Sequence, residues 1–192
     1  RATGDCLGPL VGEQLLNYSE TFHVMGCLSA PVHALNIHDA LHDIRNNYEN
    51  PFVIAVDASL GSSSHVGLVT INDGPILPGK GVKKKLPAIG DLSITGIVNV
   101  SGGHPGLLQS TRLYTVMQLA DCIANALKYS IRYLSASCPH GEKDLPPALY
   151  LVHHPDLLHH NVALSQKLLQ SCHKRGICKG NIVQIFCNHI HN

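Results

Sequence analysis

The stretch Pro51–Gly61, PFVIAVDASLG, constrains this chain more than any other. Phe52 to Val56 are apolar without a break, and an acid, Asp57, follows at once. Val53, Ile54 and Val56 are β-branched, and Pro51 and Gly61 punctuate the ends. A short unbroken apolar run between such breakers is expected to form a strand buried on both faces, as in a parallel sheet. Asp57 is then expected where a central strand leaves the sheet. Open α/β sheets bind ligands outside the carboxyl ends of their strands, so Asp57 is a candidate working residue. An aspartate opening a turn or capping a helix is the alternative reading.

With 192 residues the chain is expected to form one domain, with room for a small appendage. A formal net charge of +1 offers no bulk reason for a nucleic acid or an anionic membrane as partner. No apolar run approaches the roughly 18 residues of a membrane span. No signal peptide is visible, so the chain reads as cytosolic. It starts at Arg1 rather than Met, as a fragment or a processed form does. The cysteines, Cys6, Cys27, Cys122, Cys138, Cys172, Cys178 and Cys187, are scattered without a CxxC and read as reduced thiols.

Leu7, Leu10, Val11, Leu15 and Leu16 fall at helical spacing, with Asp5 just ahead of them. A carboxylate is electrostatically favoured at a helix N-terminus, so Asp5 reads equally as a cap and as a site residue. Thr21–Met25 is expected as a short strand and Asn36–Tyr48 as an amphipathic helix, with Asn36 and Asp39 as a capping pair. Val66–Ile71 and Leu92–Val100 are further strand candidates, and Gly96 inside the latter signals a bulge or a close backbone approach. Thr111–Leu134 has the stripe of a long helix. Alternating helices and strands imply βαβ units and a mostly parallel sheet between helical layers.

After Leu134 the character changes, and residues 135–192 read as a Cys- and His-rich C-terminal extension. A helix near Leu157–Leu169 flanked by strands at Ala148–Val152 and Asn181–Cys187 is one reading of it, and a partly ordered tail is the other. Cys172, Cys178, Cys187, His189 and His191 match no usual zinc spacing.

Asp5, Asp57 and His104 would all lie at one end of a parallel sheet. Two carboxylates facing one cleft divide into acid and base, because their repulsion separates their pKa values. Two carboxylates and a histidine also suit a divalent metal with open positions for water. Both chemistries serve amide hydrolysis. The long connection Asn72–Asp91 carries Lys80, Lys83, Lys84 and Lys85, which suit an acidic substrate or form a solvated basic loop. No GxSxG elbow is present, so Ser62, Ser63, Ser64 and His65 read as loop, and no P-loop occurs. Cys6 beside a helix N-terminus is a nucleophile candidate or a half-buried thiol.

Thr3–Gly12 (TGDCLGPLVG), Pro31–Asn36 (PVHALN), Pro51–Gly61, Gly90–Val100 (GDLSITGIVNV) and Leu108–Leu113 (LQSTRL) occur in this order. Together they resemble the YyaC-type sporulation proteins of endospore-forming bacteria, from Arg1 to about Leu134. That family is similar in fold to the germination protease and the hydrogenase maturation endopeptidases. The resemblance implies a three-layer α/β/α sandwich with a mainly parallel sheet, phosphorylase/hydrolase-like, over residues 1–134. It matches Asp5 and Asp57 to the two acidic positions of those peptidases. His104 resembles the histidine loop of the maturation enzymes, with an ordinary loop histidine as the alternative. Ahead of Arg1 the family pattern places a strand and a Gly-Thr-Asp-like turn that this sequence does not include. Without that strand the sheet is expected to keep an unpaired edge.

The expected function is therefore a sporulation-associated peptidase acting on spore proteins through Asp5 and Asp57, with Lys80, Lys83 and Lys84 contacting substrate. Its expected place is the cytoplasm of a forespore or mother cell. No resident cofactor, nucleic acid or membrane is expected, and a divalent metal enters only if His104 joins the acids. The alternative is a non-catalytic binding or regulatory protein on the same scaffold.

Overall fold

A computed structural model describes residues 3–18, 22–77, 86–102, 110–136, 155–175, 177 and 182–186. A 3-10 segment, Thr3–Cys6, leads into α1 (Leu7–Leu15). Then come β1 (His23–Met25), α2 (Ile37–Asn47), β2 (Phe52–Gly61), β3 (Val69–Asp73) and β4 (Leu92–Val100). The long α3 (Leu113–Ala136), α4 (Pro155–Lys174) and β5 (Ile182–Phe186) complete the described chain. The fold is α/β around one mixed sheet with strand order β1-β5-β2-β4-β3. The β1–β5, β5–β2 and β2–β4 pairings are parallel, and β3–β4 is antiparallel.

Strand alternation sorts the core. Phe52, Ile54, Val56 and Ala58 of β2 join Leu92, Ile94 and Val98 of β4 in one buried cluster. That cluster is closed by Leu7, Val11 and Leu15 of α1, by Val116, Ile123 and Leu127 of α3, and by Leu164, Leu168 and Leu169 of α4. The intervening Val53 and Ala55 belong to a second cluster with Val32, Ile89, and Ile37, Ala40 and Ile44 of α2. Helices thus pack on both faces of β2, which is why its first half is apolar at every position. Each fully buried leucine or isoleucine side chain contributes about 1.5–3 kcal/mol.

Two strands differ from the sequence expectation. β2 does not end at Val56 but runs to Gly61 in register with β4, with Asp57 opposite Thr95 and Ala58 opposite Gly96. β3 begins at Val69 and reverses direction. The connection Ser62–Leu68 carries only a 3-10 turn and Gly67 at φ +89°, and a parallel crossover needs a longer excursion. The expected capping pair at α2 is also absent. The Asn36 side chain accepts from the His33 N–H (2.7 Å) and donates to the Pro31 carbonyl (3.1 Å), holding the loop before the helix instead.

β5 stands between β1 and β2 and pairs with both. Its sequence lies in the stretch read as an extension, as does that of α4. Three polar contacts fix α4: Ser165 Oγ donates to the Ala126 carbonyl, Ser171 Oγ donates to Asp73 Oδ1, and Arg175 pairs with Asp91 at 3.8 Å. The Arg175 guanidinium also lies over the Phe52 ring, 5.6 Å from its centroid. In the loop after β3, Ile76 and Ile89 exchange backbone hydrogen bonds of 2.8 and 3.0 Å and pinch the base of the lysine-bearing loop.

Gly96 marks a close approach, as its place in a strand suggested. The Leu7 Cδ2 methyl occupies the place a Cβ on Gly96 would take, and Leu7 is fully buried. Gly96→Ala is expected to destabilise the protein by about 1–3 kcal/mol through overpacking, measured by urea unfolding. The cysteines add a pH dependence. Burial pushes the thiols of Cys122 and Cys172 up to about 11 from 9.0. The folded state therefore holds these protons more tightly than the unfolded one. Their contribution is complete below pH 9.0 and is lost as pH rises towards 11. The expected loss is roughly 2 kcal/mol for each thiol, and Cys122→Ala and Cys172→Ala should each flatten that part of the stability–pH curve.

Candidate functional site

Asp57 is buried, at 3 % exposure, in the interior of the central strand. It shares the face of Val53 and Ala55, opposite that of Val56 and Ala58. Its carboxylate does not stay on that face. Oδ1 accepts a hydrogen bond of 2.8 Å from the N–H of Ala58, the next residue along the strand. The reason lies in the neighbouring strands. On the β4 side β2 is paired as far as Gly61, whereas on the β5 side the pairing closes at Val56 opposite Phe186. Asp57 is the first residue past that point. The expectation that it marks the strand's exit therefore holds for one neighbour and fails for the other. The register partner Thr95, a half-buried residue of β4, flanks it.

Asp5 lies in the 3-10 segment before α1, and its Oδ1 is sealed from solvent. The segment packs against β2 and α3. Leu7, two residues on, seats over Gly96, which pairs with Ala58. The glycine thus draws the start of α1 down to the level of β2 that Asp57 adjoins. Asp5 approaches on the face covered by α1, and Asp57 starts from the other.

His104, Lys80, Lys83 and Lys84 lie outside the described residues. The same holds for Lys85, Cys178, Cys187, His189 and His191. Among the described residues no group of three or more His, Cys, Asp or Glu side chains is placed to hold a metal ion. The described cysteines, Cys6, Cys27, Cys122 and Cys172, are free thiols. Cys6 stands at the N-cap of α1 and is half-buried. Ser62, Ser63, Ser64 and His65 form an exposed turn.

Two side chains escaped the sequence reading. Cys27 follows the carboxyl end of β1, and the Ser29 hydroxyl, 3.2 Å from its sulfur, lowers the thiol pKa against the opposing effect of burial. Only the Cys-x-Ser spacing hinted at this. Asp91 accepts from the Val53 N–H at 2.9 Å, while its own N–H donates to the Val53 carbonyl at 2.7 Å. That pair of bonds fixes where β2 and β4 begin side by side, and nothing local in the sequence announces it.

The sequence profile of a family described as "Protein of unknown function (DUF1256)" matches residues 1–126. A curated relative from Bacillus subtilis (strain 168), called "Uncharacterized protein YyaC", is 54 % identical over 134 residues. That match covers 69 % of this chain and 65 % of the relative, so the chain spans a little under two thirds of the relative's length. No solved structure matches the chain. Among the described residues no helix is long and apolar enough to cross a membrane.

The Asp57–Ala58 bond separates two substitutions. Asp57→Asn keeps an oxygen acceptor and is expected to leave the unfolding midpoint nearly unchanged. Asp57→Ala leaves the Ala58 N–H unsatisfied in a buried strand, and is expected to lower stability by about 1–3 kcal/mol in the same urea titration.

Proposed function

The chain belongs to the DUF1256 family, and on that premise we propose that it is a sporulation-associated protein with a peptidase-like fold. In this reading the scaffold is the three-layer α/β/α sandwich of the germination protease, and Asp5 and Asp57 hydrolyse peptide bonds in spore proteins. The observation that carries the reading is the buried Asp57 in the sheet's central strand, at the point where one neighbouring strand stops. Burying a carboxylate costs free energy that an apolar residue would not, which is the physical ground for seeking a function at this one. A second acid, on a segment packed against the same strand, supplies the partner.

In the proposed reaction one carboxylate takes a proton from water, and the resulting hydroxide adds to the amide carbonyl. The other, protonated, gives its proton to the leaving nitrogen as the C–N bond breaks. The sporulation setting rests on the likeness of the motifs to YyaC-type proteins, and with it the cytoplasm of a forespore or mother cell. The lysines at 80, 83 and 84 are the proposed contacts for acidic substrate side chains.

One observation favours the other reading, a binding or regulatory protein without turnover. Asp57 Oδ1 already serves the backbone as the acceptor of the Ala58 N–H. The test is to incubate the purified protein with proteins extracted from dormant spores and map new N-termini by mass spectrometry. Cleavages are expected with the natural chain and are expected to fall about 100-fold or more in Asp57→Asn and in Asp5→Asn, with folding intact. Cleavage that persists at full rate in Asp57→Asn removes the aspartate mechanism.

A further inference from the structure

The backbone of β2 points to what the site takes. In a parallel sheet each residue turns its N–H and C=O towards the same neighbour, and successive residues alternate. Val53 is bonded through both groups to Asp91, on the β4 side. The Gly61 carbonyl accepts from Ser101 N–H on that same side at 2.7 Å, so the alternation survives the irregularity between Ser59 and Leu60. Phe52, Ile54, Val56, Ala58 and Leu60 therefore face the β5 side. β5 serves that edge up to Val56. The next donor, Ala58 N–H, is taken by the Asp57 carboxylate, which shows that the ladder ends there. What remains along this edge is the Ala58 carbonyl and both backbone groups of Leu60, and no described residue pairs with them.

We infer that this edge receives an extended polypeptide as an added strand, continuing the β5 ladder past Val56. The occupant is recognised through its own N–H and C=O groups, so its chemistry is that of an unfolded peptide segment of broad sequence. Three features argue for it. The edge continues an existing parallel ladder, so spacing and direction are already set. Among the described residues its open groups are one donor and two acceptors at alternate residues, the pattern a strand offers in return. Asp57 stands at the near end of the edge, so a peptide bound there lies beside that acid. That the bound strand is a substrate rests on the hydrolytic reading; that it binds does not.

The test follows the Leu60 amide by hydrogen exchange NMR in the full-length chain. The probe is the acetylated, amidated heptapeptide Lys-Thr-Val-Thr-Val-Thr-Lys. The control is the same peptide N-methylated at every backbone amide, which removes the donors on both edges. With the probe at ten times its dissociation constant, Leu60 exchange is expected to slow about tenfold. The control is expected to do nothing, Leu60→Pro to abolish binding, and Leu60→Val to retain it. A Leu60 amide protected without peptide at every protein concentration means the chain covers its own edge, and overturns the proposal. Protection that grows with protein concentration alone assigns the edge to a second copy and overturns it as well. Peptide binding without cleavage of spore proteins keeps the edge and removes hydrolysis. Cleavage without Leu60 protection does the reverse.

Discussion

A strand buried on both faces must bond its backbone along both edges, because no water reaches an orphaned group there. As far as the Ala58 N–H, β2 meets this demand by several means. β4 serves one edge along most of its length, and β5 serves the other as far as Val56. Two aspartate side chains supply further acceptors. Asp91 receives the Val53 N–H near the strand's start, and Asp57 receives the Ala58 N–H where β5 stops. A carboxylate is a strong acceptor, and a charge-assisted bond to a backbone N–H is worth more than a neutral one. One of these residues thus aligns the start of the strand, and the other, the candidate site residue, takes over where β5 stops.

The second dependence is steric. Gly96 lets Leu7 sit against β4, which lowers the start of α1 onto the sheet and brings Asp5 with it. Gly90 works in a similar way ahead of β4. Its φ of +93° and the Ala55 backbone nitrogen 3.2 Å from where a Cβ would stand leave room for hydrogen only. At the other end of the chain Arg175 ties the end of α4 to Asp91, the residue that aligns β2 with β4. The pair is partly exposed and weak on its own, so Leu164, Leu168 and Leu169 do more to hold α4 than the charge does.

What could be read from residues alone was what depends on local pattern. The unbroken run Phe52–Val56 announced a central strand, and the stripes of Leu7–Leu15, Ile37–Asn47 and Leu113–Ala136 announced helices, within a residue or two of where they lie. Gly96 announced a close approach. The end of β2 was misjudged because aspartate disfavours strand interiors, and only pairing with β4 and the bond to Ala58 keep Asp57 in one. The direction of β3 and the place of β5 depend on partners far along the chain, and no periodicity encodes a register. For the site, Asp5 and Asp57 were identifiable as acids flanking apolar runs. How the segment carrying Asp5 packs on the sheet was not, because it depends on Leu7 filling the space over Gly96.

The position of β5 also bears on how the protein comes to be made. Val24 and Ile54 both pair across from Gln184, so a middle strand of the sheet is translated after all the others described here. At ordinary rates of translation, on the order of ten seconds separate the emergence of β2 from that of β5. During that interval β1 and β2 present hydrogen-bonding edges flanked by apolar side chains, the kind of surface that nascent chains use to pair wrongly with one another. High contact order at the centre of a sheet makes the last step of folding the slow one. Newly synthesised chains of this protein should therefore depend on chaperones during that interval more than its size alone would suggest.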